Sequence, residues 1–372
     1  MKVTVERAAL LKSLGHVHRV VERRNTIPIL SNILLRAEDG ALRLKATDLD
    51  LEVTEALVAE VAEAGATTVP AYVLYDIVRK LPDGSQVSLE GNEERTQVVI
   101  RSGRSRFTLQ ALPESDFPNL ATGDLPHGFK IPAQDFKRLI DKTQFAISTE
   151  ETRYYLNGIY FHAFEADGQT QLRAVATDGH RLARVETPAP AGSESIPGVI
   201  VPRKAVAEIQ KLLDGIEDEV SIDLSANKIR VSVGQVVLTS KLIDGTFPDY
   251  QRVIPSGNDK RLIVDRSEFA TSVDRVSTIS SERGRAVKLS LSEGKLTLTV
   301  TNPDSGTATE EIEVEYDATS LDIGFNARYL LDIASQLDAD TAILLFADPG
   351  SPTLVQDREG ASALYVLMPM RV

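Results

Sequence analysis

The stretch Thr177-Asp178-Gly179-His180-Arg181 sets a carboxylate and an imidazole two residues apart. On one extended strand such residues face the same side, so Asp178 and His180 would serve as acid and base, with a serine such as Ser148 as nucleophile. Nothing else in the chain completes that chemistry. There is no G-x-S-x-G elbow and no G-x-x-x-x-G-K-[ST] phosphate loop. Only five histidines occur, and His16 and His18 are two apart on a helical pattern, whereas a shared metal needs i, i+3 or i+4. Without cysteine there are no disulfides, thiolate metal sites or Cys nucleophile. Catalytic residues, metals and cofactors are therefore expected to be none, and the chemistry left is recognition.

The elements that must position these side chains are repeated. VPRKAVAEIQKLL (201–213) recurs as VPAYVLYDIVRKL (69–81) and FNARYLLDIASQL (325–337), at intervals of about one third of the 372 residues. In each copy an apolar residue leads into Pro or Asn, where a helix is expected to start, with Pro in its first turn. Leu74, Ile77 and Leu81 superpose on Val206, Ile209 and Leu213 and on Leu330, Ile333 and Leu337, one buried stripe. A strand and a second helix open each unit, from Val3, Phe129 and Leu262. There Leu10, Leu14 and Val17 align with Phe136 and Ile140 and with Phe269, Val273 and Val276. Alternating strands follow, in the first unit near 29–36, 41–48 and 51–59. Turns are expected at Asp39-Gly40, Asp167-Gly168 and Glu293-Gly294. Each unit thus reads β-α-β-β-β twice, an α+β fold of two helices on antiparallel sheet, with domains over 1–123, 127–253 and 256–372.

Composition is that of an ordinary globular protein, 42% apolar and 26% charged, without an apolar run long enough to cross a membrane or act as a signal peptide. A cytoplasmic protein is expected. A net charge of −13 alone argues against nucleic-acid binding, yet the helical stretches together carry net positive charge, as with Arg79, Lys80, Arg203, Lys204 and Lys211. If the six helices share a face, that face is basic. At a helix spacing of about 10 Å, a closed ring of six leaves a hole of about 9 Å. Twelve leave about 28 Å, which clears a DNA duplex of about 20 Å. Two chains would be needed. Arg101, Arg104 and Arg106 beside Phe107 and Leu109 in the first domain, against Asp304, Glu310, Glu311, Glu313 and Glu315 in the third, suit a head-to-tail contact.

SGRSRF (102–107), FPNL (117–120), RYYLNG (153–158), ATDGHRLA (176–183), VPRK (201–204), TSKLIDGTFPDY (239–250) and MPMR (368–371) occur in that order. On these motifs, and over essentially its full length, the chain resembles the bacterial DNA polymerase III beta subunit, the sliding clamp. The resemblance implies three DNA-clamp domains, a head-to-tail dimeric ring with twelve inner helices, and no catalysis. Double-stranded DNA would be held without sequence specificity, in the cytoplasm at the nucleoid. Arg24, Tyr154 and Tyr155 match DNA-contacting positions, while Tyr72-Val73 and Glu150-Glu151 depart from the pattern and bring no positive charge.

A partner groove between the second and third domains is implied at Leu156, Thr177, Gly179, His180, Arg181, Leu182, Pro248, Arg252, Val253, Asn326, Tyr329, Val366, Met368, Pro369, Met370 and Arg371, with the 349–353 stretch expected beside it. Its partners would be the DNA polymerase III alpha subunit, the clamp loader delta subunit, translesion polymerases and mismatch-repair proteins, through short linear motifs. His180, Arg181 and Arg252 are expected to bind the motif's polar groups. Arg104, Arg106, Phe107 and Leu109, with Thr278, Ile279, Asp304 and Glu310, match the homodimer interface. The rival function is an acidic protein-interaction scaffold that does not encircle DNA.

Overall fold

The computed structural model describes residues 1–92, 94, 96–120, 123–280 and 285–372. The end of the expected first domain therefore lies partly outside the described residues, at Ala121 and Thr122.

The first repeat runs β1 (Lys2–Glu6), α1 (Arg7–Val17), β2 (Asn32–Glu38), β3 (Ala41–Thr47), β4 (Leu51–Val58), a short added β5 (Glu60–Glu63), β6 (Gly65–Pro70), α2 (Ala71–Lys80), β7 (Gln86–Gly91), β8 (Gln97–Ser102) and β9 (Ser105–Gln110). The second runs β10 (His127–Pro132), α3 (Ala133–Asp141), β11 (Gly158–Ala166), β12 (Gln169–Thr177), β13 (Arg181–Pro188), β14 (Val199–Pro202), α4 (Arg203–Leu212), β15 (Glu219–Leu224), β16 (Lys228–Val233) and β17 (Val236–Lys241). The third runs β18 (Lys260–Asp265), α5 (Arg266–Ser277), β19 (Ala286–Ser292), β20 (Lys295–Asn302), β21 (Gly306–Glu313), β22 (Leu321–Asn326), α6 (Ala327–Ala334), β23 (Thr341–Phe346), β24 (Thr353–Gln356) and β25 (Ala363–Leu367). Three rounds of the doubled β-α-β-β-β plan are present.

Three details of the sequence reading change. The first strand of the 29–36 region starts only at Asn32, because Pro28–Ser31 form a 3₁₀ turn. Proline also sits one place earlier than its expected first-turn position. Pro70 is the N-cap of α2 (φ −58°, ψ 121°) and Pro202 is the last residue of β14, so proline ends the strand while its carbonyl begins the helix. Asn326 caps α6 with its side chain, accepting from Arg328 N. In α2 the buried stripe is Ala71, Leu74 and Val78, with Ile77 turned half out. Burying Leu74 and Val78 stabilises the fold by about 1.5–3 kcal/mol each.

Contacts divide the chain into two compact units, 1–134 with 190–197 and 204–242, and 135–189 with 198–203 and 243–372. The first holds a sheet ordered β5-β1-β7-β8-β9 and another ordered β10-β15-β16-β17-β4-β3-β2-β6. There α1 buries Leu10, Leu14 and Val17 completely against β3, β4 and α2. The second holds β14-β11-β12-β13-β25-β24-β23-β18 and β21-β20-β19-β22, with α5 packed on α6. The eight-stranded sheets cross the sequence repeats: β17 pairs antiparallel with β4, and β13 with β25. Half-buried strands with open edges gain by pairing, and neighbouring repeats supply the partners.

The expected turns hold. Asp39 and Gly40 (φ 50° and 72°), like Asp167 and Gly168 (φ 50° and 76°), both adopt positive φ, the geometry of a tight two-residue hairpin.

Candidate functional site

The Thr-Asp-Gly-His-Arg stretch is a turn between β12 and β13, not a strand, so Asp178 and His180 do not share a strand face as expected. Asp178 Oδ1 accepts from the backbone N–H groups of His180 (2.9 Å) and Arg181 (3.1 Å). Asp48 does the same for Asp50 and Leu51 in the first repeat. Thr177 Oγ1 accepts from Gly179 N (3.1 Å) and donates to Arg181 O (2.7 Å). Gly179 has φ 89°, a conformation glycine adopts without cost, and a Cβ there would run into the Arg153 guanidinium.

Arg181 is anchored by the fold. Its guanidinium donates to Asp178 (3.1 Å), Asp332 (2.5 Å) and Phe145 O (2.7 Å) and lies 4.3 Å from the Tyr329 ring centre. It ties the turn to α6 while still lining the pocket described next, where it was expected to bind the motif. Arg181→Met is expected to lower stability by about 2 kcal/mol, because Asp178 and Asp332 lose their partner in a mostly buried setting. Urea unfolding with an unchanged m-value checks it.

Beside this turn lies a mostly apolar pocket of about 250 Å³. The turn and β13 give Thr177, Gly179, Arg181 and Leu182. β25 and the residue after it give Val366 and Met368. The 3₁₀ segment Glu151–Leu156 gives Arg153, Tyr155 and Leu156, and the 248–253 stretch gives Pro248, Asp249, Tyr250 and Val253. Beneath it Leu156, Val175, Leu182, Ile200, Phe247, Tyr250, Leu364 and Val366 form one buried cluster. Nine of the expected groove residues are thus brought together. Arg153, Asp249 and Tyr250 were missed, although the Phe117-Pro118-Asn119 and Phe247-Pro248-Asp249 repetition marked the segment. Phe117 is likewise buried, against Ile29 and Leu30.

His180 and Tyr329 line a second, polar pocket of about 400 Å³ that shares Arg181 with the first. Ser148 lies there too, but its Oγ accepts from Glu150 N and, among the described residues, makes no hydrogen bond to His180. Arg252 points to solvent and pairs with Asp249 (2.8 Å). Met370 is taken up by the fold, its N–H donating to Gly324 O (2.8 Å) on β22. Asn326, Pro369 and Arg371 line neither pocket. The 349–353 stretch also lines neither; Leu354, just after it, packs against the cluster.

Of the expected DNA contacts, Arg24 is exposed and Tyr154 is 53% exposed, whereas Tyr155 is partly buried in the pocket wall. Tyr72, where the pattern lost a basic residue, supports one instead. Its hydroxyl donates to Val21 O (2.9 Å) and Arg23 stacks 4.6 Å above its ring. Lys204 is largely neutralised, contacting Asp48 (2.5 Å), Glu22 and Val20 O (3.0 Å).

Two histidines elsewhere in the chain resist protonation. Burial lowers the His18 pKa, although its bond to Leu14 O opposes the shift. His18 stacks on Tyr75, ring centres 3.9 Å apart. Burial lowers the His162 pKa as well, with Arg173 adding to it. As pH falls below about 6.5 the unfolded chain takes up protons first, so stability present above that value is lost toward the lower folded pKa values. The melting temperature is expected to fall from pH 7.5 to 5.5, and to fall less in His18→Gln.

Two strand edges complete the picture. β9, all but one of its residues exposed, is a sheet edge carrying Arg106, Phe107 and Leu109, with Arg104 in the preceding turn. β21 is the edge of the four-stranded sheet and carries Glu310, Glu311 and Glu313. Glu310 already binds Arg275 and Ser272, which hold its pKa down at about 2. Ile279 O accepts from Asn302 Nδ2 (2.7 Å), fixing the end of α5, and Thr278 caps that helix while Asp304 lies in the turn between β20 and β21.

Residues 1–121, 130–249 and 251–371 match the N-terminal, central and C-terminal domains of the DNA polymerase III beta subunit family. The chain is 55% identical to the beta sliding clamp of Caulobacter vibrioides over 372 residues, all of both chains. It is similar to the solved DnaN sliding clamp of Bartonella birtlesii bound to griselimycin, at 58% identity and a TM-score of 0.97 over all of both chains. The Pseudomonas aeruginosa sliding clamp bound to griselimycin is 41% identical, with a TM-score of 0.94 and all of both chains covered.

Proposed function

The chain belongs to the DNA polymerase III beta subunit family, the sliding clamps, and on that premise we propose that two copies close head to tail around duplex DNA and tether other proteins to it without catalysing a reaction. The observation that carries this is the family match along the whole chain, with every repeat supplying its two helices. Twelve helices in a ring leave the required hole of about 28 Å. A threaded ring needs only weak phosphate contacts that leave bases unread, which fits a net charge of −13. Arg24, with Arg23 next to it in the chain, and Tyr154 are the DNA contacts. Closure brings the β9 edge, with Arg104, Arg106, Phe107 and Leu109, to the acidic β21 edge, with Thr278, Ile279 and Asp304 near it. Among the described residues no helix is long and apolar enough to cross a membrane, in keeping with work at the nucleoid.

The apolar pocket is the docking site for short linear motifs of the polymerase alpha subunit, the loader delta subunit, translesion polymerases and mismatch-repair proteins. Leu156, Leu182, Pro248, Val253, Val366 and Met368 offer an apolar surface, and methionine adapts to varied ligands. The griselimycin held by two relatives is expected to bind here. Calorimetry with griselimycin tests this. Val253→Asp with Met368→Asp, both at exposed positions, should weaken binding by about 100-fold and leave the melting temperature unchanged. Unchanged affinity would move the site elsewhere.

A further inference from the structure

Tyr250 lines the pocket, and its hydroxyl reaches His162 on β11 and Arg173 on β12. The polarity of the hydrogen bonds there is fixed by one acceptor. His162 Nδ1 lies 2.9 Å from the carbonyl oxygen of Ala163, which can only accept, so Nδ1 carries the imidazole proton and Nε2 is bare. Tyr250 Oη lies 3.0 Å from that Nε2, so the phenol donates to it. Arg173 then donates to Tyr250 Oη (3.2 Å) and, through Nε, to Glu186 (2.5 Å). The chain runs in one direction, Arg173 to Tyr250 to His162 to Ala163.

The same strand holds the rest of the segment. Tyr160 and His162, two apart on one face of β11, stack on each other with ring centres 4.7 Å apart. Phe247 stacks on Tyr160 at 4.9 Å, nearly parallel. Pro248, which lines the pocket, sits between these two supported aromatics.

We infer that His162 is a positioning residue for the peptide groove: neutral, it holds Tyr250 in the wall, and protonated, it releases Tyr250 and weakens ligand binding. This rests on the pocket being the ligand site. A proton on Nε2 would aim an N–H at an oxygen that already accepts from Arg173, and would leave the phenol proton without its acceptor. The charged groups around it do not welcome a second cation. Arg173 faces it from β12, Arg184 and Glu186 lie nearby on β13, and Glu186 already serves Arg173. Among the described residues Arg184 Nε has no hydrogen-bond partner. Tyr160 and Tyr250 complete the shell, the Tyr160 hydroxyl pushed up by burial.

Two measurements on the full chain test the inference. Nitrogen-15 spectra of histidine-labelled protein at pH 7.5 should show His162 protonated at Nδ1 only; an Nε2-protonated ring overturns it. Griselimycin calorimetry should show affinity dropping about fivefold or more from pH 7.5 to 5.0, the loss expected for one hydrogen bond. His162→Gln should flatten that profile, and Tyr250→Phe should start about fivefold weaker at pH 7.5 and respond less to pH. Any titration of the probe itself persists in His162→Gln, so the difference isolates the imidazole. Equal pH profiles in the wild type and His162→Gln overturn the inference. Wild-type protein that fails to bind at pH 7.5 removes the groove and the inference together, and the spectra then report whether the relay itself exists.

Discussion

Phe107→Asp combined with Leu109→Asp is expected to turn the proposed two-protomer ring into single chains. Both residues lie on β9, which is an edge strand of its sheet among the described residues. Phe107 is 36% exposed in the single chain, so replacing it costs the protomer little. In the closed ring the same position would be covered by an edge rich in glutamate. Two new carboxylates there would be desolvated and face like charge, each costing several kcal/mol. Dimer affinity should fall by about 1,000-fold or more. Analytical ultracentrifugation at micromolar concentration should show a monomer with an unchanged melting temperature. A variant that stays dimeric would place the interface on another surface.

Gly158→Val should be the most damaging small change in the groove's foundations. Gly158 opens β11 opposite Pro202 of β14, and a Cβ there would collide with the backbone carbonyl of Val201. Backbone cannot swing aside as a side chain can, so the strands must part. That shifts Leu156 and Ile200, both in the cluster under the pocket. A cost of about 3 kcal/mol is expected, near the upper end for overpacking. Gly15 in α1 is the control. A Cβ there meets nothing within 4 Å, so Gly15→Ala should stabilise by about 0.5–1 kcal/mol. Thermal unfolding that ranks the two variants the other way would contradict this packing.

Much of this was legible in the sequence because it is local. The Asp-Gly hairpins, the helix stripes at Val206, Ile209 and Leu213, and the repeated turn after Thr47 and Thr177 each follow from a few neighbouring residues. The pairing of β4 with β17 and of β13 with β25 was not legible, since an alternating strand says that it wants a partner but not which one. Arg181 shows the same limit in the site. Its motif marks it as important, but only the fold brings Asp332 and Phe145 to it. Tyr155 stood beside Tyr154 in the sequence and shared its expected role. The 3₁₀ segment turns one ring toward solvent and the other into the pocket wall.

The encircling ring is tested most directly on nicked circular plasmid. The protein, placed on the circle with a clamp loader, is followed by gel filtration before and after one restriction cut. Retention on the closed circle and release once the DNA is linear are expected, because a ring leaves only over an end. Retention that survives the cut, or none on the circle, would contradict it.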